Sequence, residues 1–70
     1  MKIKVKDPNE LRMTLIRKGF SQRQFSSHVG MSENYFNQII NHKKSPSPHV
    51  ARNIANQLEL TFDDVFQINN

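Results

Sequence analysis

His28, His42 and His49 are the side chains best suited to acid-base or metal chemistry, and their spacing supports neither. No pair is three or four residues apart, as two ligands on one helix face require, and no carboxylate recurs with them. The chain has no cysteine, which excludes a disulfide scaffold, a thiolate zinc site and a cysteine nucleophile. Without paired carboxylates, a nucleophile beside a base or a phosphate loop, the sequence implies neither an enzyme nor a cofactor. What remains is chemistry by hydrogen bond and charge. Glu33, Asn34, Asn37, Gln38 and Asn41 supply donors and acceptors in one short stretch, with Arg23 before it and Lys43 and Lys44 after it.

The formal net charge is +4 and the isoelectric point about 9.9. From Leu11 to Leu58 seven basic residues face a single acid, Glu33, whereas Glu59, Asp63 and Asp64 follow with no base among them. Segregated positive charge suggests a polyanionic partner, most simply nucleic acid; a solvated surface with a basic bias is the plainer alternative. No apolar run approaches the roughly 20 residues that span a bilayer, and "MKIKVKD" has no signal-peptide core. A soluble, cytoplasmic protein that makes no use of a membrane is the expectation. With 70 residues it forms a single domain, near the lower size at which one core suffices without staples.

The elements that must position these residues are marked by their caps. Asp7, Pro8 and Glu10 predict a helix over about 8–18, with an Asp cap, Pro at the first helical position and a carboxylate reaching back from the third. Leu11, Leu15 and Ile16 give it an apolar stripe, and Gly19 closes it. Ser21 with Gln24 opens a second helix over about 22–29, built on Phe25 and Val29 and closed by Gly30. Ser32 caps a third over about 33–41, with Phe36, Ile39 and Ile40 buried and the polar residues turned elsewhere. Ser47 and Pro48 start a fourth that buries Val50, Ile54, Ala55 and Leu58, and Thr61 caps a short last helix containing Val65 and Phe66. "KIKVK" and "FQI" leave a two-stranded pairing of the termini open. The expected fold is all-α, a compact bundle of five short helices.

Only Gly30 and Met31 join the second and third helices, too few for a side-by-side hairpin. A tight turn containing Gly sets two short helices at a steep angle, the helix-turn-helix arrangement. Phe25, Val29, Met31, Phe36 and Ile39 hold that angle, with small Ser26 where the helices cross, so the polar face of the third helix projects outward.

From Leu11 to Phe66 the sequence resembles the Cro/CI-type (Xre-like) helix-turn-helix family of phage and bacterial transcriptional repressors. The resemblance rests on the Leu11-Arg12 opening, "GFSQRQFS" at 19–26, "VGMS" at 29–32, "YFNQI" at 35–39, "KKSPSP", "IANQL" at 54–58 and "FDDVF" at 62–66. It implies double-stranded DNA as the partner and a role for each matching position. Gln22 matches a residue that approaches the DNA backbone and the edge of the major groove. Glu33 and Asn34 match exposed positions at the start of the recognition helix, and Gln38 a base-reading position one turn later, with Asn37 and Tyr35 bordering them. Asn41, Lys43 and Lys44 fall in the loop that touches phosphates in relatives. Relatives often have Gly after the recognition helix where this chain has "NHKK", so Asn41 or His42 takes the left-handed conformation, Asn being the better suited. Ser26 stands for a frequent Ala, and Ala51 for a frequent Leu.

The chemistry of these residue types suits the roles. Asn and Gln bond adenine bidentately through N6 and N7, and Glu accepts from cytosine N4, which puts base contacts at Glu33, Asn34, Asn37 and Gln38, with Asn34 and Gln38 foremost. Gln22, Arg23, Tyr35, Asn41, Lys43 and Lys44 are the candidates for the DNA backbone, although Tyr35 also fits the edge of the core. The expected function is a sequence-specific repressor that occupies a palindromic operator as a homodimer, pairing through Phe62, Val65, Phe66 and Ile68 and needing no small-molecule ligand. The alternatives are an antitoxin or other protein-interaction module, and an architectural or recombination accessory factor that bends DNA.

Overall fold

Two strands and five helices follow one another as β1 (Lys2–Val5), α1 (Pro8–Arg17), α2 (Gln22–His28), α3 (Glu33–Ile40), α4 (Pro48–Gln57), α5 (Phe62–Val65) and β2 (Phe66–Asn69). These elements come from a computed structural model that describes residues 2–69. The first three helices stop one residue before the expected ends because Lys18, Val29 and Asn41 are their carboxyl-terminal caps.

Every helix starts at a side-chain oxygen that takes up otherwise unbonded amides. Asp7 accepts from the N–H groups of Asn9 and Glu10, Ser32 from Tyr35, and Ser47 from Val50. Ser21 and Gln24 close a reciprocal box, as do Thr61 and Asp64. Glu10 does not close such a box on Asp7. Its carboxylate lies 3.0 Å from Arg17 two turns on, a stronger partner than a backbone amide in water.

The four longer helices end in the same way, with the next residue but one after the cap bonding back to the third-last helical carbonyl. Phe20 N–H reaches Leu15, Met31 reaches Ser26, Lys43 reaches Gln38 and Leu60 reaches Ala55, at 2.8–3.0 Å. That closure needs a left-handed residue, which is Gly30 at φ 80° between α2 and α3. After α3 the left-handed residue is His42 at φ 63°, not Asn41, which caps the helix at φ −88°. Asn is the better left-handed former, but His42 Nε2 donates to the Val5 carbonyl at 2.9 Å, so a tertiary bond overrides the local preference. Glu59 takes the corresponding place after α4 at φ 60°.

The core joins Leu11 and Leu15 of α1, Phe25 of α2, Phe36, Ile39 and Ile40 of α3, and Ala51, Ile54, Ala55 and Leu58 at α4. Val50 lies at its edge, half-buried. Ile16 is 73% exposed and forms no part of it: Leu11 and Leu15 share one face, and Ile16, a residue further, turns about 100° away. The termini do pair, antiparallel, with Ile3 opposite Ile68 and Val5 opposite Phe66. Packing beneath them makes so short a ribbon hold, since Ile3, Val5 and Phe66 are all core residues. The far edge of β1 is occupied by the loop after α3, where the Ser45 hydroxyl accepts from Ile3 N–H (3.0 Å) and donates to its carbonyl (2.8 Å). Phe66 is therefore the first residue of β2 rather than part of the last helix, and it and Val65 are buried. Neither is free for pairing with a second copy; of the four residues expected there, Ile68 is exposed and Phe62 half-buried.

Candidate nucleic-acid interface

The turn between α2 and α3 fixes how α3 is presented. Gly30 N–H donates to Ser27 and Met31 N–H to Ser26, so the chain reverses out of α2 and Ser32 begins the next helix at once. Phe25 of α2 and Phe36 of α3 lie 5.3 Å apart between ring centroids, and Phe20 meets Phe25 edge to face at the same separation. Ser26 is buried at the crossing with its hydroxyl donating to the Arg23 carbonyl at 2.8 Å, so its polarity is satisfied without leaving the helix. His28 Nε2 and Gln57 Oε1, 2.8 Å apart, tie the end of α2 to α4. Thus α2 is braced from both sides, and α3 rests on it through Phe36 with Ile39 and Ile40 buried in the core, leaving Glu33, Asn34 and Asn37 exposed.

Gln22, Glu33, Asn34 and Asn37 are brought together around one shallow depression of about 390 Å³. Gln22 Nε2 donates to Asn37 Oδ1 at 3.1 Å, across the helix-turn-helix. The same oxygen accepts from Asn41 Nδ2 at 3.1 Å, and Arg12 donates to Asn41 Oδ1 at 2.9 Å and to Asn9 Oδ1 at 3.3 Å. A run of five polar side chains on three helices results. Both lone pairs of Asn37 Oδ1 are engaged, which leaves only its amide protons to offer. Gln22 keeps its carbonyl oxygen and one amide proton.

Gln38 lies apart from the depression, half-buried one turn beyond Asn34, and its backbone carbonyl accepts from Lys43 and Lys44 N–H. That bond sets both lysines beside the end of α3, each exposed. Tyr35 is half-buried and packs against the core, while Arg23 is exposed at the start of α2. Arg12 was not among the site residues read from the sequence. Its place near the end of α3 depends on a contact 29 residues away in sequence, which no local pattern reveals.

The arrangement can hydrogen-bond an extended polar surface from a convex helix flanked by cations, and it has no enclosed cavity or proton-shuttling pair among these residues. A compact helical domain that braces one helix and turns the polar face of the next outward belongs to the helix-turn-helix class. The helix-turn-helix family model matches residues 11–65, and the chain belongs to that Cro/CI-type (Xre-like) family. No curated protein matches it. Membership makes the chain a domain of the DNA-binding, transcription-regulating kind, directed at double-stranded DNA, in a family that is not catalytic. No helix of the described residues is long and apolar enough to cross a membrane.

Proposed function

We propose that the protein is a sequence-specific repressor of the phage or plasmid type, which lays α3 in the major groove and acts by occupying its operator. The observation that carries this reading is the outward face of α3, where Glu33, Asn34 and Asn37 stand exposed and Gln22 is bonded into the same row. Asn34 and Gln38 have the amide pairs that bond adenine bidentately, and Glu33 excludes sites that do not present a cytosine amine to it. Asn37 gives its amide protons to a single base acceptor. Gln22, Arg23, Tyr35, Asn41, Lys43 and Lys44 meet the sugar-phosphate backbone and hold α3 in register.

One α3 reads only a few base pairs, so the repressor works as a homodimer on a palindrome with half-sites about 34 Å apart. Ile68 and Phe62 supply the pairing surface. Selection from a random duplex pool tests the reading. Enrichment of an inverted repeat is the expected result; a pool that gains no motif while the protein stays folded overturns it.

A further inference from the structure

We infer that the terminal strand is part of the DNA interface: β1 and the loop after α3 form one basic cleft that takes a backbone phosphate flanking the bases read by α3. This rests on the proposed reading of α3 and extends its footprint. The cleft has a volume of about 320 Å³, and its charged lining is Lys2, Lys4, Lys43 and Lys44, with His42 and Ser45 also lining it. No carboxylate of the described residues lines it, and none of the four lysines is in an ion pair among them. Four ammonium groups crowded around one concavity repel each other, and a phosphate oxyanion removes that repulsion while bonding to several at once.

The alternation of β1 places these charges. Ile3 and Val5 are buried, so Lys2 and Lys4, which alternate with them, take the opposite face of the strand. Lys6, two residues beyond Lys4, is different: its Nζ donates to the Asp63 carbonyl beside the acidic start of α5. The two walls of the cleft do not move independently. Ser45 bonds both backbone groups of Ile3, and His42 bonds the Val5 carbonyl, so strand and loop form one unit. The loop in turn is fixed to α3 through the bonds from Lys43 and Lys44 to Gln38. Because those tethers use backbone groups and the side chains of Ser45 and His42, removing the ammonium groups of Lys2 and Lys4 leaves the cleft built.

The test compares the wild-type chain, Lys2→Ala/Lys4→Ala and Lys2→Gln/Lys4→Gln, with Lys18→Ala as control because Lys18 lies 3.6 Å from Glu59, outside the cleft. Affinity is measured against the selected duplex and against a duplex of unrelated sequence over a salt series. For each neutralised phosphate, log affinity changes with log salt by about 0.9. Both double variants are expected to lose about one in that slope on both duplexes and to select the same motif as wild type; Lys18→Ala should lose nothing. An unchanged slope in the double variants, with circular dichroism showing native helix content, overturns the inference. A slope that is unchanged while inorganic phosphate still perturbs the Lys2–Lys4 amides in wild type only would make free phosphate the ligand, and also overturns it. The salt slope on unrelated duplex does not depend on motif selection, so this inference and the reading of α3 fail separately.

Discussion

Asn37→Ala separates positioning from stability more cleanly than any other single change in the interface. The side chain accepts two bonds, from Gln22 and Asn41, both between exposed groups. Neutral bonds at a wet surface are replaced by water when lost, so each contributes about 0.5 kcal/mol net. Alanine recovers about the same from helix propensity at a mid-helix position. The expected change in stability is within about 0.5 kcal/mol, a shift of the melting temperature of about 2–4 °C for a domain of this size. Binding behaves differently, because Gln22 is released and must be ordered again on DNA, whereas Asn41 stays held by Arg12, and the base contact of the Asn37 amide is lost as well. Ordering Gln22 costs about 0.5–1.5 kcal/mol and a neutral bond to a base contributes about the same, so affinity should fall by about fivefold to 150-fold. A double-mutant cycle with Gln22→Ala, read by fluorescence anisotropy on the selected duplex, isolates the shared part. A coupling of at least about 0.5 kcal/mol is expected. Strict additivity of the two changes, or a melting temperature lowered by more than about 10 °C, would refute the reasoning.

Three further outcomes follow from the fold. Glu59 holds φ 60° with only an exposed ion pair to Lys18, so Glu59→Gly should raise stability by about 0.5–1 kcal/mol in thermal unfolding. Gly30→Ala should lower it by about 1 kcal/mol through the backbone alone, since a Cβ there meets nothing within 4 Å. The Asp64 carboxyl is held below its ordinary range, first by the Thr61 backbone N–H and then by the Thr61 hydroxyl. A lowered carboxyl stabilises the fold above its unfolded value of about 3.9 and loses that contribution as it is protonated in acid. Asp64→Asn should therefore be less stable than wild type near neutral pH, and the two should converge as pH is taken below about 4 in urea titrations.

Much of the fold was legible because its signals are local. Asp7, Ser21, Ser32, Ser47 and Thr61 each predict a helix start, and each accepts an amide at that start. Gly30 and the apolar residues either side of it likewise define the turn. What the sequence could not show depends on partners distant along the chain. Ile16 looks like part of an apolar stripe until Leu11 and Leu15 take the core face. Phe66 reads as helical until β1 offers it a strand partner. His42 is left-handed because Val5, 37 residues away, holds its ring.

The candidate site divides in the same way. The polar face of α3 follows from helical periodicity, so Glu33, Asn34 and Asn37 were legible as outward groups. Arg12 was not, and neither were Lys2 and Lys4. The alternation of "KIKVK" marks a strand, but only the loop bonded to it shows that its lysines share a concavity with Lys43 and Lys44.

The most direct test of base reading by α3 is parallel selection from a random duplex pool with wild type, Gln38→Ala and Lys44→Ala. Gln38→Ala should relax one defined base position, with a loss of discrimination of about 1–3 kcal/mol there, and leave the remaining positions as they were. Lys44→Ala should weaken every site alike and lower the salt slope by about one. A Gln38→Ala protein that folds normally and selects the wild-type motif unchanged would contradict the assignment of base reading to this face.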